Sequence, residues 1–155
     1  MLATTINYVK FCDINPDDFL PILNKEQVRN HLVHHPLFDS TSIHAWVEDK
    51  INCNQMEGCR VRAVYSCDTL AGWCGIQKDN EGYEIAIVIS ESFWGIGSLI
   101  FKELMGWAKE LGHKEVVIHL LETRPIYKFL KKNSLKTHST KMLGRKFVTY
   151  HISVQ

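Results

Sequence analysis

The stretch Tyr83–Leu111, YEIAIVISESFWGIGSLIFKELMGWAKEL, changes its hydrophobic period halfway along. Residues 83–90 form an almost unbroken apolar run, which is typical of a strand at the centre of a sheet. From Gly95 onward the apolar residues recur every three or four positions, which predicts an amphipathic helix that ends at Gly112. Its apolar stripe consists of Ile96, Ile100, Leu104, Trp107, Ala108 and Leu111. A central strand joined to a helix by a short glycine-containing loop is therefore the frame of the fold.

Further elements are predicted on both sides of this unit. Upstream, the pattern predicts a strand at 6–11, helix starts at Asn15 and Asn24, a helix at 43–51, and a hairpin of strands 59–66 and 70–77. Downstream it predicts a strand at 115–121, a short helix at 125–132, and a last strand or strand pair at 141–154 with a turn at Gly144-Arg145. The chain carries no repeat and no linker, so we expect a single mixed α/β domain over residues 1–155.

Composition excludes several classes of protein. The 155 residues include 18 Lys+Arg and 17 Asp+Glu, with 45% hydrophobic and 23% charged residues. This balance differs from that of disordered chains and of basic nucleic-acid-binding domains, and no apolar run is long enough to span a bilayer. The five cysteines are odd in number and form no C-x-x-C pair, so neither a disulfide framework nor a zinc knuckle is indicated. We expect a cytoplasmic protein, with no secretory signal in residues 1–10, that binds neither nucleic acid nor a membrane.

The loop Gly95-Ile96-Gly97-Ser98 is the clearest binding motif. Glycines let a backbone approach a ligand closely, and the unpaired N–H groups at a helix start attract phosphate. A dinucleotide fingerprint needs a third glycine, where this chain has Ile100, and a Walker A loop needs a following Gly-Lys-Ser/Thr. The motif therefore indicates a pyrophosphate site of another kind.

This segment resembles the GNAT superfamily of acyl-CoA-dependent N-acetyltransferases. The family signature [Q/R]-x-x-G-x-[G/A] follows a central strand and opens a helix, and residues 92–97 (SFWGIG) stand in that position. Ser92 occupies the place of the usual Gln or Arg, unless the loop is shortened and Trp94 takes it. The match extends over about residues 60–135. It implies a central mixed, mostly antiparallel sheet flanked by helices, and acetyl-CoA as the acyl donor to a primary amine.

The resemblance also implies which residues hold the donor. Three residues of the central strand would present backbone groups to the pantetheine arm: Ile87, Val88 and Ile89. The following segment would wrap the pyrophosphate with main-chain N–H groups: Trp94, Gly95, Ile96, Gly97, Ser98 and Leu99.

Acetyl transfer to an amine needs a base, because only the neutral amine attacks a thioester. Glu84 is the first candidate, since a carboxylate inside an apolar strand is desolvated and its pKa rises. The alternative is a carboxylate at the wet end of the strand, paired with Arg60 or Arg62. His119 in the strand EVVIHLL is a second candidate base or a cleft residue, the alternative being a structural histidine. Tyr127 is the candidate acid for the CoA thiolate, or a packing aromatic.

Besides direct acetyl transfer in a ternary complex, two alternative functions remain open. Leu130 stands where the family's tyrosine would be, which motivates a catalytically weakened module that binds CoA or a partner protein. An unrelated α/β nucleotide-binding domain is the third reading. His31 and His35 lack an acidic partner, so no metal site is predicted. The acceptor stays open between a small-molecule amine and a peptide or protein amine, as does a homodimer formed through the last strands.

Overall fold

The computed structural model describes residues 5–29, 36–80, 82–121, 128–142 and 144–154. The strands are β1 (Ile6–Val9), β2 (Arg60–Ser66), β3 (Thr69–Asp79), β4 (Gly82–Ile89), β5 (Glu115–Leu121), β6 (Ser134–Met142) and β7 (Arg145–Ser153). The helices are α1 (Leu20–Leu23), α2 (Glu26–Arg29), α3 (Ser40–Asn54), α4 (Gly97–Glu110) and α5 (Lys128–Asn133). Short 3-10 segments lie at Phe11–Asp13, Pro16–Phe19 and Glu91–Ile96.

The seven strands form one sheet in the order β1-β2-β3-β4-β5-β7-β6. Only β4 and β5 run parallel among the described pairs, and the other neighbours are antiparallel. The predicted mixed, mostly antiparallel sheet flanked by helices is therefore confirmed.

Two hydrophobic clusters cover the two faces of the sheet. The α4 cluster contains the predicted stripe of that helix, with Ile100 and Leu104 fully buried against β3, β4 and β5. The α3 cluster joins Ile43 and Val47 of α3 to Trp73 of β3 and to the aromatic residues that precede α1. Because side chains alternate along β4, its odd-numbered residues face α4 and its even-numbered residues face the α3 side.

Local chemistry explains the ends of the elements. Asp39 caps α3 through a reciprocal pair of hydrogen bonds with Ser42, as a capping box requires. The β2–β3 turn places Cys67 and Asp68 at φ +48° and +70°, the left-handed geometry of a tight hairpin. Gly112 follows α4 at φ +84°, which agrees with the predicted glycine stop.

Several predicted boundaries are wrong. The first strand ends at Val9, because Phe11 enters a 3-10 turn and is buried in the α3 cluster. Asn24 is not the N-cap of α2, which begins at Glu26. It follows the last residue of α1, and its side chain both donates to and accepts from the main chain of Phe38, at 2.9 and 2.8 Å. The α-helix after the glycine loop begins at Gly97 rather than Gly95. The last element is a strand pair, and β6 begins at Ser134, seven residues before the predicted start.

The predicted helix at 125–132 is described only from residue 128, where α5 begins. All five cysteines are free, as expected. None of the helices in the described ranges has the length and apolar character that crossing a bilayer requires.

Candidate active site

Glu84 lies where the two parallel strands part. In the described ranges, β4 and β5 pair at a single position, Glu84 with Val117, whereas β3 and β4 pair along their length from Gly72–Ile89 to Asp79–Gly82. Beyond the Glu84–Val117 pair the parallel strands leave main-chain groups unpaired with each other, and this opens a gap at the centre of the sheet. Glu84 therefore stands at the closed end of that gap.

Both carboxylate oxygens of Glu84 have a defined neighbour. Oε1 accepts a hydrogen bond from Gln77 Nε2 at 3.1 Å, and Gln77 Oε1 accepts one from Lys50 Nζ at 2.5 Å. Because an ammonium group only donates, this pair sets the orientation of the Gln77 amide and turns its N–H toward Glu84. Oε2 faces His119 Nε2 at 3.8 Å. The Glu84 side chain is 27% exposed.

Burial raises the pKa of Glu84 above the ordinary glutamate value, as the sequence predicts for a carboxylate in an apolar strand. The nearby His119 and Lys50 act in the opposite direction, while Asp79 adds to the rise. Burial also lowers the pKa of Lys50, whose ammonium lies 4.1 Å from the centre of the Trp73 ring. A carboxylate that holds its proton more tightly than usual is a stronger base when it is ionised.

His119 reaches the same site from β5. Its Nε2 lies 2.7 Å from Asp79 Oδ2, and its Nδ1 lies 2.7 Å from Thr149 Oγ1. The His119 side chain is only 5% exposed. The sequence singled out His119 but neither partner, because Asp79 reads as part of a turn and Thr149 as an ordinary strand residue. The cross-strand register that joins them is visible only in the sheet.

The ligand atoms of Asp79, Glu84 and His119 lie within 4.8 Å of one another. The Asp79–His119 contact has the length of a charge-assisted hydrogen bond. A histidine placed between two carboxylates can accept and release a proton.

The alternative that pairs Glu84 with Arg60 or Arg62 is wrong. The Arg60 guanidinium contacts Glu110 on α4 at 2.8 Å. The Arg62 guanidinium donates to Asn54 Oδ1 and to the Val61 carbonyl, at 2.7 and 2.8 Å. Both arginines thus have other partners.

The predicted pantetheine strand shows which main-chain groups face the gap. A Cβ added at Gly72 of β3 would lie 1.9 Å from the Val88 carbonyl oxygen, so this carbonyl points at β3 and away from β5. By alternation, the main-chain groups of Ile87 and Ile89 face the gap. The Ile89 carbonyl accepts a hydrogen bond from Trp94 Nε1 at 3.0 Å, although the Trp94 side chain is still 50% exposed. Ile87 is therefore the residue of the three best placed to meet a ligand.

The glycine loop has the open geometry of a binding surface. A Cβ added at Gly95 or at Gly97 would meet nothing within 4 Å, so packing within the protein requires glycine at neither position. Ile96 at the start of α4 provides no side-chain cap, and the next residues, Ser98 and Leu99, complete the first turn of the helix. Uncapped N–H groups of such a turn suit an anion, and the residues present fit the diphosphate of coenzyme A.

Some predicted site residues lie outside the described residues. They are Tyr127, the candidate acid, and the two histidines of the rejected metal site, His31 and His35.

Comparison with known proteins decides the family. A model of the acetyltransferase (GNAT) family matches residues 20–131. The chain belongs to this family. The matched residues include β4, β5, Glu84 and the glycine loop. No curated protein sequence matches the chain.

Solved structures agree on the fold. An N-acetyltransferase from Staphylococcus aureus matches with a TM-score of 0.70 at 15% identity, covering 99% of this chain and 100% of that one. A GNAT-family protein from Chromobacterium violaceum gives 0.72 at 13% identity, covering 99% and 88%. A Salmonella typhimurium protein solved with its cofactor acetyl-CoA gives 0.68 at 13% identity, covering 99% and 95%.

Proposed function

We propose that this GNAT protein transfers the acetyl group of acetyl-CoA to a primary amine by direct attack, with Glu84 as the general base. The observation that carries the proposal is the Glu84 carboxylate, which is partly exposed at the point where β4 and β5 part and lies beside His119. Acetyl-CoA would supply the activated acetyl group. Support for this donor comes from the family and from the neighbour solved with acetyl-CoA.

In this proposal the chain binds the acetyl donor, removes a proton from the acceptor amine and gives a proton to the departing thiolate. Ile87 offers main-chain groups at the gap, and the first turn of α4 binds the diphosphate after Gly95 and Gly97. Glu84 removes a proton from the bound ammonium, so that a neutral amine faces the acetyl group. Tyr127 is our proposed proton donor to the departing thiolate, and the free cysteines play no part as nucleophiles.

The acceptor is a primary amine on a small molecule, a peptide or a protein. A cationic ammonium group is attracted to the carboxylates of Asp79 and Glu84 before it loses its proton. This supports an amine acceptor in general and leaves its remaining structure to be found by screening.

Thiol release tests the proposal. Purified protein is incubated with acetyl-CoA and a panel of amino acids, polyamines and short peptides, and free CoA is measured. We expect release with at least one amine, and a Glu84→Gln variant that turns over about 100-fold more slowly or worse while binding acetyl-CoA unchanged. Equal turnover by the variant across pH would remove Glu84 from the mechanism. Binding of acetyl-CoA without thiol release from any amine would identify a CoA-binding module.

A further inference from the structure

Both ring nitrogens of His119 are occupied by side chains from other strands. Asp79 comes from the end of β3, two strands away from β5, and Thr149 comes from the adjacent strand β7 on the other side. Thr149 is fully buried, and its Oγ1 lies 2.7 Å from Thr140 Oγ1 on β6. A hydrogen-bonded row thus crosses the sheet in the order Asp79, His119, Thr149, Thr140.

The chemistry of the partners sets the protons on the ring. An ionised Asp79 only accepts, so Nε2 carries a hydrogen. A hydroxyl can accept or donate, so Thr149 suits either state of Nδ1. When the ring is neutral, Thr149 donates to Nδ1 and accepts from Thr140. When the ring is cationic, Nδ1–H donates to Thr149, which then turns its own hydrogen toward Thr140. The ring can therefore change its charge without movement of the heavy atoms.

We propose that Asp79 and Thr149 are positioning residues that hold His119 with Nε2 toward Glu84, and that the charge of this ring controls when Glu84 is ionised. The inference rests on the proposed function only in treating Glu84 as the base, because the ionisation itself can be measured without turnover.

Three charged groups face the Glu84 carboxylate from the surrounding elements. His119 on β5 lies 3.8 Å away, and a positive ring stabilises the carboxylate. Lys50 on α3 acts in the same direction through Gln77, and Asp79 on β3 opposes both. His119 is the one imidazole among these neighbours, and an imidazole is the side-chain type that ordinarily gains or loses a charge between pH 5 and 8.

Thr149→Val tests the role of the hydroxyl with almost no change in shape. Without an acceptor at Nδ1, the cationic ring leaves a buried N–H unpaired. We expect Thr149→Val to shift the His119 titration toward lower pH than in wild type and the Glu84 titration toward higher pH. Thr149→Ser keeps the hydroxyl and is the matched control, which we expect to titrate like wild type.

The readout is NMR of the intact protein, using the ring nitrogens of His119 and the side-chain carboxyl carbon of Glu84 over pH 4–9. His119→Gln and Glu84→Gln assign the two signals. If Thr149→Val fails to fold, Asp79→Asn replaces it: Asp79 is partly exposed, and loss of its charge should also shift the His119 titration toward lower pH. In this variant only the His119 signal is compared with wild type, because Asp79 also acts directly on Glu84. Titrations in Thr149→Val, or in Asp79→Asn as its replacement, that superimpose on wild type would overturn the proposal.

The acid limb of the turnover profile gives the second readout. It should move to higher pH in Thr149→Val and stay in place in Thr149→Ser. If no amine is acetylated but the NMR shifts occur, the proposed function fails and this inference stands. If Glu84→Gln abolishes turnover while Thr149→Val leaves both titrations unchanged, the inference fails and the function stands.

Discussion

Replacing Glu84 by glutamine should make the folded protein more stable at neutral and alkaline pH. Burial raises the pKa of Glu84 in the folded state above its value in the unfolded chain. The folded protein therefore holds this proton more tightly, and the associated stability is present below the unfolded pKa and lost as pH rises through the folded pKa. Glutamine has no proton to lose, so Glu84→Gln avoids this loss.

The size of the effect follows from one proton and one hydrogen bond. For a single group the free energy of unfolding can change by at most about 1.4 kcal/mol per pH unit. Glutamine can still accept from Gln77, so that contact at 3.1 Å survives. Loss of the attraction to His119 and Lys50 offsets part of the gain, but burial is the larger influence. We expect a net gain in stability at pH 8, because burial outweighs those attractions. For a domain of this size, a gain of about 1 kcal/mol raises Tm by about 2–4 °C.

Urea unfolding at pH 4.5, 6 and 8 measures the difference between the two proteins. The expected gap is small at pH 4.5 and widens with pH. Glu48→Gln on the exposed face of α3 removes the same charge and is the matched control, with no widening gap expected. If Glu84→Gln is the less stable protein at pH 8, the neighbours of the carboxylate outweigh its burial and the reasoning is refuted.

Two further predictions concern the binding loop and the α3 side of the domain. Gly97 has helical angles (φ −56°, ψ −41°) and an open Cβ position, so Gly97→Ala should gain about 0.5 kcal/mol of stability while weakening acetyl-CoA binding. Gly106→Ala, also in α4 with an open Cβ position, is the control and should stabilise the protein without affecting binding. Equal acetyl-CoA affinities of the two variants by calorimetry would contradict diphosphate binding at the glycine loop. Asn24→Ala removes both hydrogen bonds to Phe38 and should cost about 1–2 kcal/mol by urea unfolding, whereas a loss below a few tenths would show that water replaces them.

The sequence predicts best where one strong pattern determines the structure. The apolar run of β4 and the apolar stripe of α4 predict both elements and the loop between them, because buried elements show a clear pattern of hydrophobic residues. The strand β6 was largely missed, since residues 135–139 are exposed and the segment has no alternation to detect. Hydrophobic periodicity depends on burial, and an edge strand that is exposed to solvent on both faces has no buried face to produce it.

The candidate site was predicted only as single residues. Glu84 and His119 stood out because each is a polar residue in an apolar strand, and the structure brings them to 3.8 Å. Their partners come from distant parts of the chain: Asp79 lies 40 residues before His119 and Thr149 lies 30 after it. Such pairings depend on strand order and register, and neither is encoded in a local pattern.

The position of β7 in the sheet bears on how this protein folds. It follows the other six strands in the chain, yet it lies between β5 and β6 and supplies Thr149 to the row behind Glu84. During synthesis, one edge of β5 therefore remains unpaired until residues 145–153 have been made. Exposed strand edges attract other chains, so the nascent protein is prone to aggregate during this interval. The surroundings of Glu84 are thus among the last parts of the molecule to form.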